Sequence, residues 1–316
     1  MTSTAHGNGQ INAQTLHEDR PGYYGRPIVK PPEWTDLIPT YFFTGGMAGT
    51  CAALGFAERI AKNDALARTM LFGAAAGTAI SAYCLIADLK RPERFVNMLR
   101  VFKPTSPMSM GVYIFSAFGG SVTLALASEL TGVLRPIGRI FEGIAALFGP
   151  AMSCYTAVLI GDTVVPAWHY GRESMPALFA ATSASTAGGW GLLFGPSGRS
   201  NSAQRLALIG GAGVMLALEK LHQELGPRQK EAYQTRQAKM FGDTAKILNM
   251  AGLATSLFAR KVPVMGRIAG AILLAAGVCE RFGVFRAGCI SAEDPSYTID
   301  AQRERIAREG NRASSN

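Results

Sequence analysis

Leu37-Ile38-Pro39-Thr40-Tyr41-Phe42-Phe43-Thr44-Gly45-Gly46-Met47-Ala48-Gly49-Thr50-Cys51-Ala52-Ala53-Leu54-Gly55-Phe56-Ala57 is a run of 21 residues without one charged side chain. Coiled as a helix it is roughly 30 Å long, which is the thickness of a bilayer's hydrocarbon core. A surface helix of a water-soluble domain carries polar residues along its outer face, and this run has no such face. Equally uncharged windows follow at 69–87, 104–128, 143–161 and 174–198. Three shorter cores, 206–218, 247–259 and 268–279, reach a full crossing once the long side chains at their ends snorkel to the interface. The pattern predicts an all-α integral membrane protein with eight transmembrane helices, at 36–57, 68–88, 106–129, 139–161, 174–196, 203–222, 241–259 and 264–284. Eight helices are enough for two four-helix bundles. Composition agrees, since only 17% of the 316 residues are charged against about 25% in soluble domains.

The membrane domain so read covers 36–285, between a polar N-terminal tail (1–35) and a soluble C-terminal tail (286–316). An even number of crossings puts both tails and loops 2/3, 4/5 and 6/7 on one face, called face A. Face A carries 21 of the 31 Lys and Arg residues and face B the other 10. By the positive-inside tendency, this predicts a plasma (inner) membrane protein with cytoplasmic termini. The excess over 22 Asp and Glu sits beside apolar runs, as membrane loops require, so nucleic acid is excluded as a partner. Small residues four apart, Gly45 and Gly49, Gly73 and Gly77, Gly191 and Gly195, mark close helix contacts. The tail lacks the basic start and apolar core of a secretory signal, and no cleaved leader is expected. Tyr23, Tyr24, Pro27, Pro31, Pro32 and Trp34 suggest an extended segment lying at the interface or on a partner. A short amphipathic helix is expected from Asp300 to Arg308.

Several chemistries are closed to this chain. Its cysteines, at 51, 84, 154, 279 and 289, contain no C-x-x-C pair, so neither an iron-sulfur cluster nor a structural zinc site can be assembled from them. Its four histidines, His6, His17, His169 and His222, include two in the N-terminal tail, which leaves no helix-borne axial pairs for a dihaem cytochrome b. There is no phosphate-binding G-x-x-x-x-G-K-[ST] loop and no H-E-x-x-H, so the chain alone is neither an ATP-driven pump nor a zinc protease. No metal ligand set is assigned.

The densest local pattern joins spans 2 and 3. It reads Asp88-Leu89-Lys90-Arg91-Pro92-Glu93-Arg94-Phe95, then Asn97-Met98-Leu99-Arg100, then Lys103-Pro104-Thr105-Ser106-Pro107-Met108-Ser109-Met110-Gly111. Ser106 before Pro107 has the form of an N-cap and first-turn proline, fixing where the third span begins. Lys90, Arg91, Arg94, Arg100 and Lys103 make a compact cationic loop, suited either to anionic headgroups or to an acidic partner. This loop resembles the signature of the NrfD/PsrC family, the membrane subunits of polysulfide reductase and related molybdenum enzymes. Tyr41 to Gly49, Cys154-Tyr155-Thr156-Ala157, and Ala287-Gly288 with Ser291-Ala292-Glu293-Asp294-Pro295 extend the resemblance over roughly residues 20 to 298.

That resemblance implies a quinone-binding membrane anchor with no haem or iron-sulfur cluster of its own. Such an anchor would use menaquinone or another quinone, exchange electrons with a four-cluster ferredoxin-like iron-sulfur subunit, and through it serve a molybdopterin catalytic subunit. The terminal substrate, such as formate, polysulfide, tetrathionate or nitrite, belongs to that other subunit. In related members the quinone lies among the first four spans, with polar residues of the first span and a tyrosine of the fourth near its oxygens. Tyr155 matches that tyrosine, while Tyr41 and Thr44 stand where some members carry Asn and His.

Polar residues in lipid are costly, and they gather toward face A. Tyr41, Thr44, Ser109, Tyr113 and Tyr155 are the candidate quinone ligands, with interfacial anchoring the plainer role for each tyrosine. A phenol donates a hydrogen bond while uncharged, which suits a quinone carbonyl. Asp88 is the candidate proton relay, or else a salt-bridge partner of Lys90, Arg91 or Arg94. Glu219, Lys246 and Glu280 make a candidate proton path, unless they pair locally with Lys220, Arg281 or one another. Their presence also leaves a secondary transporter or proton-conducting protein as the alternative function.

Overall fold

The structure is a computed structural model that describes residues 28–299, so Tyr23, Tyr24, Pro27, His6, His17 and the expected helix at Asp300 lie outside the described residues. Within it the chain is all-helical, with no strand among the described residues. Eight helices of 20 residues or more carry the eight expected segments. They are α1 (Leu37–Ile60), α2 (Asp64–Ala87), α4 (Pro107–Thr131), α5 (Arg135–Gly161), α7 (Met175–Phe194), α8 (Asn201–Glu224), α10 (Arg236–Ser256) and α11 (Pro263–Glu293). Shorter pieces sit in the connections: a 3₁₀ turn (Pro92–Arg94) running into α3 (Phe95–Met98), α6 (Pro166–His169) and α9 (Pro227–Gln234). Ser106 caps α4 through its hydroxyl, which accepts from the Ser109 backbone N–H at 3.4 Å ahead of Pro107, and Gly132 ends the helix in the left-handed region at φ 71°.

The helices form two rings of four with the same neighbour order. α1 packs on α2 and α5, and α4 closes the ring by packing on both; α7 packs on α8 and α11, and α10 closes that ring likewise. The rings meet where α7 lies against α1 and α5, with α11 touching α1. Glycine allows the closest seam: a Cβ on Gly49 would overlap the backbone oxygen of Gly149, and the reverse holds as well. Two core clusters lie along these seams. One, around Phe42, Trp168, Phe179 and Phe285, straddles both rings. The other, around Met70, Phe118 and Met152, fills the first ring.

By length and composition alone, four of the eight, α2, α4, α5 and α11, are apolar enough to cross a membrane. The remainder fall short for two reasons. α1 and α7, which face each other at the centre, are rich in Gly, Ser and Thr, small residues that serve helix contact rather than lipid: Thr182, Ser183, Ser185 and Thr186 on α7 are all buried. α8 carries charge near its ends, at Arg205, Glu219 and Lys220, and α10 carries it through its first half, at Arg236, Lys239, Asp243 and Lys246.

At one end of the rings, chain segments far apart in sequence are tied together. Arg286 near the end of α11 donates to Asp36 at the start of α1, at 2.6 Å. The indole N–H of Trp168 on α6 donates to the Val284 carbonyl at 2.9 Å, its ring lies where a Cβ on Gly288 would stand, and Trp34 stacks on it at 5.9 Å. This end, which also holds the loop after α2, is face A.

Candidate functional site

A largely apolar cavity of about 140 Å³ opens at face A of the first ring. That is the size of an engineered core cavity that takes up benzene, so it accommodates one six-membered ring. Three helices supply its walls as stripes at helical spacing: Ile38, Tyr41 and Phe42 from α1; Met108, Gly111, Val112 and Phe115 from α4; Tyr155 and Leu159 from α5. Leu85, Asp88, Leu89, Phe95, Met98 and Trp34 form the rim. Gly111 is required here, because a Cβ would run into the Tyr155 ring, which lies directly against α4. Tyr41 packs edge-on against Phe115 at 6.2 Å between centroids and lies 6.5 Å from Tyr155.

The polar content of this cavity is sparse and specific. Tyr41 is 1% exposed, and its hydroxyl is buried without a hydrogen-bond partner among the described residues. An unmade hydrogen bond of this kind costs about 1–3 kcal/mol, so such groups are rare in folded chains and call for a partner that the described residues do not supply, a water or a ligand atom. At the rim, Asp88 terminates α2, and its Oδ1 accepts from the Thr35 backbone N–H at 3.0 Å and from the Thr35 hydroxyl at 2.6 Å. Its partner is therefore the segment ahead of α1 rather than Lys90, Arg91 or Arg94. Lys90 pairs instead with Glu33, which also holds Lys30. The hydrogen bonds from those two lysines bring the Glu33 carboxyl down to about 2.

Of the other expected quinone ligands, three sit apart from the cavity lining. Thr44 lies deeper in the α1–α2 seam, where its hydroxyl bonds the Thr40 carbonyl at 3.0 Å and the Ser81 hydroxyl at 2.7 Å. Ser109 is committed to the loop, donating to the Val101 carbonyl at 2.9 Å and accepting from the Lys103 N–H at 3.0 Å. Tyr113 donates to the Leu99 carbonyl at 3.0 Å and meets Phe102 edge-on at 5.0 Å. These two side chains fix the cationic loop onto α4. Arg91, Arg94, Arg100 and Lys103 project from that loop, exposed and without ion pairs among the described residues, beside exposed Val96, Val101 and Phe102.

The second ring holds a different kind of site. Glu280 and Arg281 of α11 are both buried, at 4% and 1% exposure, and paired at 2.7 Å. Arg281 also donates to the Phe179 carbonyl at 2.8 Å and lies over the Phe179 ring at 3.7 Å. Glu280 Oε1 and Arg281 Nε have no partner among the described residues. Glu280 borders a cavity of about 300 Å³ together with His222, Lys239, Asp243 and Lys246. Glu219 stands outside this group, exposed on α8 and accepting from Gln223 at 3.1 Å.

Of the residues expected from the sequence, the structure brings Tyr41, Tyr155 and Asp88 to one cavity and Lys246 with Glu280 to another, and leaves Thr44, Ser109, Tyr113 and Glu219 outside both. Sequence reasoning missed Ile38, Phe42, Met108 and Phe115, whose three- and four-residue spacing with Tyr41 and Gly111 was the available signal. Among the described residues, no group of three or more His, Cys, Asp or Glu is placed to hold a metal ion. A family model described as "Polysulphide reductase, NrfD" matches residues 31–290. No curated protein gives a significant match.

Proposed function

The chain belongs to the polysulphide reductase NrfD family, membrane subunits of redox complexes, and from that premise we propose that its cavity at face A binds the ring of a membrane quinone such as menaquinone. The observation that carries this reading is the buried, unpartnered hydroxyl of Tyr41, a residue that lines an apolar cavity of one-ring size. A quinone needs an apolar slot and one or two donors at its carbonyls, and the cavity's lining supplies both kinds of group. Tyr41 would donate from Oη, Tyr155 would present a second phenol, and the Gly111 and Phe115 side would cover the ring face. A quinone bound there supplies two-electron, two-proton redox chemistry. Asp88, at the rim and bonded through one carboxylate oxygen, has a second oxygen to exchange protons with water at face A.

The cationic loop would dock the iron-sulfur subunit through Arg91, Arg94, Arg100 and Lys103, with Lys90 partly neutralised by Glu33. That subunit would pass electrons between the quinone and a molybdopterin catalytic subunit. In this reading all eight long helices cross the plasma membrane, with face A and both termini cytoplasmic in accord with the excess of basic residues there. The test is electron exchange with menaquinone by the complex purified with its partner subunits. Tyr41→Phe and Tyr155→Phe should each slow it, and unaltered turnover in both variants would remove the quinone from this cavity.

One observation favours a second reading, a proton-conducting protein or secondary transporter. The free Glu280 oxygen beside a wide cavity with Lys246, Asp243 and His222 is what a proton-relay site requires. Proton or solute uptake into liposomes by this chain alone, independent of quinone and abolished by Glu280→Gln, would establish that reading instead.

A further inference from the structure

Among the described residues six buried side-chain atoms lack a hydrogen-bond partner, and three of them, Glu280 Oε1, Arg281 Nε and Ser185 Oγ, belong to α7 and α11 of the second ring. Glu280 and Ser185 line a small cavity of about 10 Å³, the space of one water molecule, with Thr186 of α7 and Asn249 of α10 beside them. On its face A side lies the cavity of about 300 Å³, and Leu218, Ala245 and Glu280 border both. Lys239 and Asp243 in the wide cavity's lining are exposed, while His222 and Lys246 are half-buried. His222 Nδ1 donates to the Leu218 carbonyl at 2.7 Å, which leaves Nε2 as the nitrogen that can take up a proton. Polar lining thus runs from face A to the middle of the ring.

There it stops. Leu273 forms the floor of the small cavity, and beyond it the helices touch backbone to backbone. A Cβ on Gly188 of α7 would overlap the Ala207 backbone of α8, one on Gly270 of α11 would overlap the Gly189 carbonyl of α7, and one on Gly252 of α10 would run into Leu273. Leu192, Ala207, Ala269 and Leu273 make an apolar cluster at this level. Contacts as close as these leave no room for water. Nearer face B, Gln204 donates to the Ser256 carbonyl and accepts from Arg260, so these polar groups are spent on one another.

Of the buried pair, only Glu280 is placed to change its charge. A guanidinium keeps its proton, and Arg281 is held independently of Glu280 by the Phe179 carbonyl at 2.8 Å, the Ser183 hydroxyl at 3.3 Å and the Phe179 ring. Glu280 gives one oxygen to Arg281 and has the other unpartnered. The ionisable groups around the pair are His222 of α8, Tyr233 of α9, Lys239, Asp243 and Lys246 of α10, and Cys154 of α5 on the Arg281 side. α7 carries no charged side chain, and those of α1, Glu58 and Arg59, stand at its face B end.

We propose that Glu280 is a proton-binding site fed from face A alone, at the bottom of a blind well whose floor is Leu273. The exchange is an acid–base step: Oε1 takes a proton from water in the well, the carboxylate becomes a carboxylic acid, and Arg281 keeps its charge. Such a site needs neither quinone nor partner subunit. A well closed at its floor binds protons without conducting them, which sets it apart from the channel of the second reading.

The test uses the full chain in liposomes under an imposed pH gradient, together with infrared spectroscopy of the protein in heavy water. Wild type should be proton-tight, and its pH titration should show a carboxylic acid band that shifts on deuterium exchange and is missing from Glu280→Gln. Leu273→Ser, which replaces the apolar floor with a hydroxyl, should raise the proton leak by about tenfold or more, and adding Glu280→Gln should make the chain tight again. A wild-type leak abolished by Glu280→Gln would overturn the blind end and establish a through path. A Leu273→Ser leak that survives Glu280→Gln, or a folded Leu273→Ser that stays tight, would overturn the well. Should Leu273→Ser fail to fold, the infrared titration decides alone: no exchangeable band that Glu280→Gln removes means that no proton from face A reaches Glu280, and the site is lost.

Discussion

The two rings share a neighbour order but differ in what they keep at their centres. The first holds neutral phenols, Tyr41 and Tyr155, around an apolar cavity. The second holds a buried ion pair, Glu280 with Arg281, beside a larger and more polar one. The same scaffold can therefore host either a slot for an apolar ring or a charged centre, and the choice rests on a few side chains of α1, α5 and α11. A phenol left without a partner costs about 1–3 kcal/mol, whereas breaking a buried arginine–carboxylate pair costs about 3–5 kcal/mol.

The largest test of that contrast is Arg281→Leu. It strands the Glu280 carboxylate in the protein interior, and a loss of about 3–5 kcal/mol in thermal or denaturant unfolding is expected. Adding Glu280→Gln should restore much of it. If Arg281→Leu proves as mild as a tyrosine change, the two centres do not differ in the way argued. Next comes Gly111→Val, which drives side-chain bulk into the Tyr155 ring. A cost of about 1–3 kcal/mol is expected, with loss of quinone binding measured by fluorescence quenching of a bound quinone analogue.

Tyr41→Phe should separate function from stability. Removing an unpartnered buried hydroxyl leaves the ligand-free protein as stable or up to about 1 kcal/mol more so, while quinone affinity falls by about threefold to tenfold. A drop in stability would mean that the hydroxyl already has a partner, and the first ring would lose its character as a waiting site. Asp88→Asn keeps an acceptor for Thr35 but removes the charge, so a loss of about 1 kcal/mol is expected together with slower quinone-linked proton uptake. The smallest effect belongs to Glu33. Its carboxyl is depressed, so its contribution is present above its ordinary titration range and fades as pH falls toward about 2. Because half of its side chain faces solvent, which screens both lysine pairs, Glu33→Gln should lower thermal stability only slightly at neutral pH and not at all near pH 2.

Charge-free runs made the helices legible, because lipid imposes one simple demand on side chains and the chain meets it in long uninterrupted stretches. The small-residue spacing of Gly49 likewise pointed to a tight seam, and the structure places Gly149 against it. The candidate site was legible only in part. Tyr41 and Tyr155 are polar side chains in apolar runs and announce themselves. Ser109 and Tyr113 look the same in sequence, yet their hydroxyls bond carbonyls of their own preceding loop, a partnership that depends on how residues 99–103 fold back. Thr44 similarly spends its hydroxyl inside a helix seam. The partner of Asp88 was hidden for another reason: nearby arginines attract attention by charge, but Thr35 reaches it through chain geometry that no local pattern encodes.

The ties at face A also set an order of events for a chain made from its N-terminus. Thr35 must wait 53 residues for Asp88, and Asp36 must wait 250 residues for Arg286. Trp34, at the rim of the tyrosine cavity, stacks on Trp168, which in turn donates to Val284 of α11, so this corner of the rim is braced only once the last helix has been made.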